Sequence, residues 1–338
     1  MGTFQFAMME AAFLLGTAII IIPVLGASEQ DMWMAGLIGW VTGVIYALFL
    51  SLNNKEPQGH YPLARFILSL YTLHLAALVT RNLGEILNLS VMPNTPQVVF
   101  NTILVLLAAY AASQGIEAIS RLAGPFVLLS FLAGILLVAM AIPVMKPNHF
   151  QPVFEHGFKL IIKDAIPFIS FPFMETVVFL PLLKLVSKPR KALLGGVLLA
   201  GAMFMITLIT IILVLPPERI QYYISPTFNT INSIPQAGFV KAITVLLWIQ
   251  TGFLKLALLH YVVSKQLAEA FSLNYRKIII PISILIVNLS ILVYNNILEM
   301  FSFAFKIYPY YAIPLQIGIP LYFLIAGRLS NRASPAKS

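Results

Sequence analysis

Cysteine is absent from this chain, which removes disulfides, thiolate metal sites and cysteine nucleophiles together. Charge is scarce as well. Asp, Glu, Lys and Arg make up 10% of the residues, where a soluble domain carries about 25%. No linker is long or polar enough to divide the chain into two soluble domains. A Walker loop, a dinucleotide fingerprint, a nucleophile elbow and an HExxH pattern are all missing. The histidines (His60, His74, His149, His156 and His260) lack metal-ligand spacing. The expectation is therefore a protein that is no enzyme, holds no metal and needs no cofactor. Energy coupling by ATP bound to this chain is excluded.

What is present is apolar. Hydrophobic residues make up 59% of the chain and the mean hydropathy is +0.91, the composition of an integral membrane protein. The apolar segments are roughly 20 residues long and do not alternate, which indicates helices rather than a barrel. Ten spans are predicted at roughly 4–25, 32–52, 62–91, 97–113, 122–145, 164–185, 192–215, 238–266, 277–295 and 308–327. The N-terminus opens into the first of these without a basic leader or a small-residue cleavage site, so no cleavable signal peptide is expected. Between spans stand turn residues: NNKEPQG at 53–59, MPNTP at 92–96, SKPRK at 187–191 and PPER at 216–219. The irregular stretch 216–237 reads as a short amphipathic lid on the outer surface.

The net charge of +9 does not point to nucleic acid, because the basic residues sit in loops between spans. Placing the N-terminus inside puts Lys184, Lys188, Arg190, Lys191, Lys265, Arg276 and Lys277 on the cytoplasmic side, and both termini with them. Ten spans divide into five and five, and an odd number inverts the second half. Each half opens with an interrupted span: Leu15-Gly16-Thr17 ahead of Pro23 in span 1, and Ser170-Phe171-Pro172 in span 6. Paired interruptions at corresponding positions mark inverted-repeat transporters. The expected fold is thus an all-α membrane protein of one domain, residues 1–338. Its ten transmembrane helices form a 5+5 inverted repeat (1–145 and 146–327) with broken helices 1 and 6 and a basic tail, 328–338.

Span 6 is the organising stretch. Pro172 lacks a backbone donor and clashes with the preceding turn, so the helix is expected to break there and restart near Phe173. The restarted helix would offer free N–H groups and a positive dipole end to a substrate carboxylate. Glu175, in its first turn, would be stabilised by that end or titrate with a transported proton. The competing reading is a simple proline kink, with Glu175 bonded to a neighbouring helix. In span 1, Gly16 permits the backbone to open and Thr17 adds a hydroxyl, although small residues also serve ordinary helix packing. Glu10 is expected to face water at an inner vestibule. Span 3 carries Tyr71, His74, Leu78, Arg81 and Glu85 on one face. Tyr71 lies near mid-depth, and Arg81 with Glu85 forms an i, i+4 pair that is structural or steers ligand. Span 8 aligns Trp248, Thr251 and Lys255, with Gln250 beside them. Lys255 is too deep to snorkel, and its candidate partners are Glu175, Glu10 or a broken-helix carbonyl.

Several short patterns occur in one order along nearly the whole chain: GTAIIIIP in span 1, RNLGEI then MPNTP after span 3, and FISFPFMETVVFLP in span 6. SPTFNTINSI, WIQTGFLK and NYRKIIIPI follow. As an ordered set they resemble the B-type permease subunit of bacterial spore germinant receptors, a branch of the amino acid–polyamine–organocation transporter superfamily. The resemblance implies a leucine-transporter-type fold in a spore's inner membrane beside A- and C-type partner subunits. It also implies a small nutrient ligand, usually an amino acid, bound between spans 1, 3, 6 and 8. Carried over by position, the span 1 opening falls on Leu15, Gly16, Thr17 and Ala18. The span 6 opening falls on Phe168, Ser170, Phe171, Met174 and Glu175, and the span 8 side on Thr251 and Lys255. The chain departs from the family where GTA replaces a glycine pair and where Pro172 replaces a glycine, which stiffens the hinge. Three functions follow: a nutrient-sensing receptor subunit, a proton-coupled amino-acid transporter acting on its own, and a structural subunit that only holds partners together.

Overall fold

A backbone in hydrocarbon must satisfy its own amides, and the apolar runs of this chain accordingly fold as helices. A computed structural model describes residues 1–21, 28–53, 61–90, 92–220, 222–223, 225–235 and 238–333, and no strand occurs among them. The first half comprises α1 (Thr3–Ile21), α2 (Met32–Leu50), α3 (Pro62–Ser90), α4 (Gln97–Ser113) and α5 (Ile116–Ala141). The second opens with α6 (Phe158–Ser170) and a 3-10 segment, Phe173–Leu185, followed by α7 (Pro189–Val214), α8 (Pro217–Ile220) and α9 (Pro226–Asn232). It closes with α10 (Gly238–Phe271), α11 (Tyr275–Leu292), α12 (Ile297–Lys306) and α13 (Tyr308–Ala333).

Among the described residues, eight helical stretches are long and apolar enough to cross a membrane. Two shorter apolar helices, Thr3–Gly16 and Gln97–Ser113, occupy the expected places of spans 1 and 4. The chain is an integral, multi-pass membrane protein. The 34-residue α10 is roughly 50 Å long at 1.5 Å per residue, so it tilts or projects beyond a hydrocarbon core of about 30 Å. The outward face of α5 shows Leu128, Leu132 and Ile135, a surface suited to lipid. The core forms where α1 meets α7 and α10, and where α2 meets α6 and α7.

One expectation needs correction. Span 1 does not open at Leu15-Gly16-Thr17: α1 is helical without interruption from Thr3 to Ile21. Its apolar residues keep the 1→5 hydrogen bonding that lipid demands, and one glycine without a proline does not interrupt it. Pro23, like the end of the basic tail, lies outside the described residues. Among its described residues, the stretch 216–237 holds two short helices whose inner residues Ile220, Pro226, Thr230 and Ile231 are buried, while Tyr222 is exposed. It is amphipathic as expected, with one face packed into the protein.

Candidate functional site

Span 6 breaks where its sequence places the break. Pro172 forces the residue before it out of the helical region, and Phe171 is extended at φ −142°, ψ 118°. The Phe171–Pro172 peptide is cis. Beyond it the chain does not resume as an α-helix but runs through Phe173–Leu185 in 3-10 form. With three residues per turn, Phe173, Thr176, Phe179 and Leu182 share one face. Phe173 stacks edge-on against Phe204 of α7 at 5.6 Å, and Phe179 against Phe6 and Phe13 of α1 at 5.4 and 5.2 Å. Tertiary aromatic packing thus holds a geometry that is poorly populated in isolation.

The break frees the Ser170 carbonyl, and Gln316 of α13 donates to it from Nε2 at 2.8 Å. The same amide nitrogen donates to the Tyr71 hydroxyl at 2.9 Å. Tyr71 lies 2.8 Å from the Tyr308 hydroxyl, and Tyr308 donates to Glu175 Oε1 at 3.2 Å. Each hydroxyl has one proton, so the order is fixed: Gln316 to Tyr71, Tyr71 to Tyr308, Tyr308 to the carboxylate. The other oxygen, Glu175 Oε2, accepts from Lys255 Nζ at 2.6 Å, and both side chains are 0% exposed. The ammonium also lies 4.7 Å from the ring centres of Phe13 and Phe171, close enough for cation–π attraction. A full charge pair is therefore enclosed by two aromatic faces at the point where the helix is broken.

Lys255 reaches Glu175 because α1 and α10 approach closely. A Cβ on Gly16 would stand 2.7 Å from the Thr251 carbonyl oxygen and 3.0 Å from Lys255 Cβ. Glycine serves close packing here rather than an opening. Gly16→Val is expected to push α1 from α10 at a cost of about 1–3 kcal/mol, read as a lower unfolding temperature of the purified chain.

The remaining expected site residues separate into those near the pair and those elsewhere. Leu15 and Met174 are buried, and Ser170 bonds back to the Pro167 carbonyl at 3.1 Å. Thr251 spends its hydroxyl on the Leu247 and Trp248 carbonyls of its own helix. The side chains of Thr17 and Ala18 lie outside the described residues. Phe168 points away from the pair, to Phe204 at 5.5 Å and to Gly39 of α2. Arg81 meets Glu85 at 3.5 Å and donates to the Tyr294 carbonyl at 3.0 Å, so it secures the end of α11. Glu10 does not face water: it is buried against Gly196 of α7, with the Thr176 hydroxyl as its hydrogen-bonding side-chain neighbour. Helix packing covers the place where a vestibule was expected.

Tyr308, Gln316 and Phe13 complete the site, and sequence reasoning did not single them out. Gln316 had a signal, an uncharged amide within an otherwise apolar span. The two tyrosine hydroxyls meet only through the packing of α3 against α13. Outside the pair, α12 buries Met300 and Phe301 against Leu78 and Phe171. It leaves a cavity of about 20 Å³ bounded by Leu75, Phe171, Ala304 and Tyr308, room for little more than one water.

A sequence model described as "Spore germination protein" matches residues 62–300. Spore germination protein KB of Bacillus subtilis (strain 168) is 25% identical over 98% of this chain and 96% of its own length. Spore germination protein A2 of the same organism is 23% identical over 84% of each. Solved structures share the fold, two of them over nearly the whole chain. One is MhsT in complex with L-phenylalanine (TM-score 0.65, 12% identity, 98% of each chain). The other is MHP1, a nucleobase-cation-symport-1 family transporter, closed with bromovinylhydantoin bound (TM-score 0.68, 14% identity, 100% of this chain and 94% of that one).

Proposed function

This chain belongs to the spore germination protein family and has the fold of leucine-transporter-type carriers, and from that premise we propose that it is the nutrient-binding membrane subunit of a germinant receptor. The observation that carries the reading is the buried Glu175–Lys255 pair at the Phe171–Pro172 break. An ion pair taken out of water recovers its desolvation cost only with good geometry and further hydrogen bonds. A zwitterionic amino acid offers the same two charges. Its carboxylate would take the place of Glu175 before Lys255, and its ammonium that of Lys255 before Glu175. Ligand and internal pair then compete, and the ligand favours whichever arrangement of span 6 admits it. On this reading Leu15, Gly16, Tyr71, Ser170, Phe171, Met174 and Thr251 line the place the ligand takes. Arg81 and Glu85 serve the outer end of α3, and Pro172 is the stiff hinge.

On the same reading the halves 1–145 and 146–327 are inverted repeats, both termini are cytoplasmic, and the membrane is the spore's inner one. The partners are A- and C-type receptor subunits, to which the motion of the 3-10 segment passes. The shared fold with transporters keeps one alternative in view, proton-coupled uptake by the chain alone. Purified chain in proteoliposomes separates them. A radiolabelled amino-acid panel under an imposed pH gradient is expected to give saturable binding without accumulation, and accumulation above the equilibrium level would establish the transporter instead.

A further inference from the structure

A second binding surface lies on the face of the molecule that holds the N-terminal ends of α1 and α7. Here the end of α2 and the start of α7 leave a groove of about 790 Å³, lined by Leu48, Phe49 and Leu52 on one side and Lys188, Arg190 and Lys191 on the other. Both helices are membrane spans, so the groove sits at the boundary between hydrocarbon and water. Leu52 is 58% exposed and Phe49 half-buried, giving an apolar wall at the level of the acyl chains. All three cations are exposed, and none forms an ion pair with a described carboxylate. Among the described residues, no acidic one lines the groove. Pro189 opens the 26-residue α7, whose first N–H groups and positive dipole end add to the same field.

We propose that this groove binds the headgroup of an anionic phospholipid, with its phosphate among Lys188, Arg190 and Lys191 and an acyl chain along Leu48, Phe49 and Leu52. The positive-inside rule accounts for basic residues in this loop, but not for three cations, unpaired among the described residues, that face an apolar wall across a groove. That juxtaposition of charge and exposed hydrocarbon matches an amphiphile. It does not match a free anion, which has no use for the leucines, or an acidic peptide, which has no acyl chain to lay beside them. A basic pocket between spans on the cytoplasmic side is a recognised form of lipid site. Occupied, it would fasten the end of α2 to the start of α7, and so brace the Val186–Lys188 link between α7 and the 3-10 segment that bears Glu175.

The full-length chain in nanodiscs of phosphatidylcholine, with phosphatidylglycerol titrated in, provides the test. Phosphatidylglycerol should raise the unfolding temperature and remain bound in native mass spectrometry. Lys188→Gln, Arg190→Gln and Lys191→Gln together should weaken that binding, at roughly fivefold per cation and on the order of a hundredfold for the three. Replacing Lys159 and Lys163, exposed on the opposite side, should leave it intact. Should the triple variant fail to fold, the wild-type titration and the single Arg190→Gln variant decide the matter. Equal stability in the two lipids, equal loss from the Lys159 and Lys163 control, or reproduction of the effect by inorganic phosphate would each overturn the proposal.

Discussion

Glu175→Gln is expected to abolish the nutrient response and to destabilise the chain by about 3–5 kcal/mol, because it leaves the Lys255 ammonium buried without its countercharge. Lys255→Met should do the same from the other side, stranding a carboxylate whose remaining side-chain partner among the described residues is Tyr308. Placed together, Glu175→Gln and Lys255→Met remove both charges, and the double variant should recover most of the stability lost by either single change. Such non-additivity is the mark of two residues in direct contact. Function should not recover. A structural pair predicts that stability and response return together; a ligand-competing pair predicts that stability returns alone. Thermal unfolding of the purified variants, set beside germination of spores carrying them, reads both quantities.

The second large effect is expected at Gln316, far from span 6 in sequence. Gln316→Leu removes the donor to the Ser170 carbonyl and to the Tyr71 hydroxyl. Each buried group left unsatisfied costs about 1–3 kcal/mol, and hydrocarbon offers no water in compensation. The loss should therefore be nearly as large as that from breaking the charge pair, although no charge is altered. Without Gln316, Tyr71 has no donor behind it, and the chain of hydroxyls leading to Glu175 loses its direction. Gln316→Glu, which keeps the shape and one acceptor but loses the amide donors, should fail likewise. Amide exchange at Phe171 and Glu175, compared between wild type and Gln316→Leu, would show whether the break loosens as expected.

Span 6 was legible because proline chemistry is local. Pro172 dictates an extended Phe171 and a restart at Phe173 whatever surrounds them, and Glu175 is conspicuous in so apolar a stretch. The depth of Lys255 likewise follows from counting along one helix. The 3-10 form of Phe173–Leu185 could not be read this way, since it rests on rings from α1 and α7 that meet it only in the folded chain. Tyr308 and Tyr71 lie 237 residues apart in sequence, and no periodicity within one span reveals that they touch. Span 1 failed for the opposite reason. A glycine there permits either an opened backbone or close helix packing, and sequence alone does not choose; in the fold its missing side chain lets α10 lie against α1 and brings Lys255 within reach of Glu175.

The central claim is that the broken segment at Ser170–Glu175 is where the nutrient binds, and the lack of native cysteine makes one measurement direct. Ser170→Cys places the chain's sole thiol at the end of α6, in a side chain close in size to serine, and a small thiosulfonate reagent reports its access in intact membranes. Nutrients that trigger germination are expected to slow that labelling in proportion to occupancy, and to lose the effect when Glu175→Gln is added. Labelling at one unchanged rate across every triggering nutrient would contradict the account.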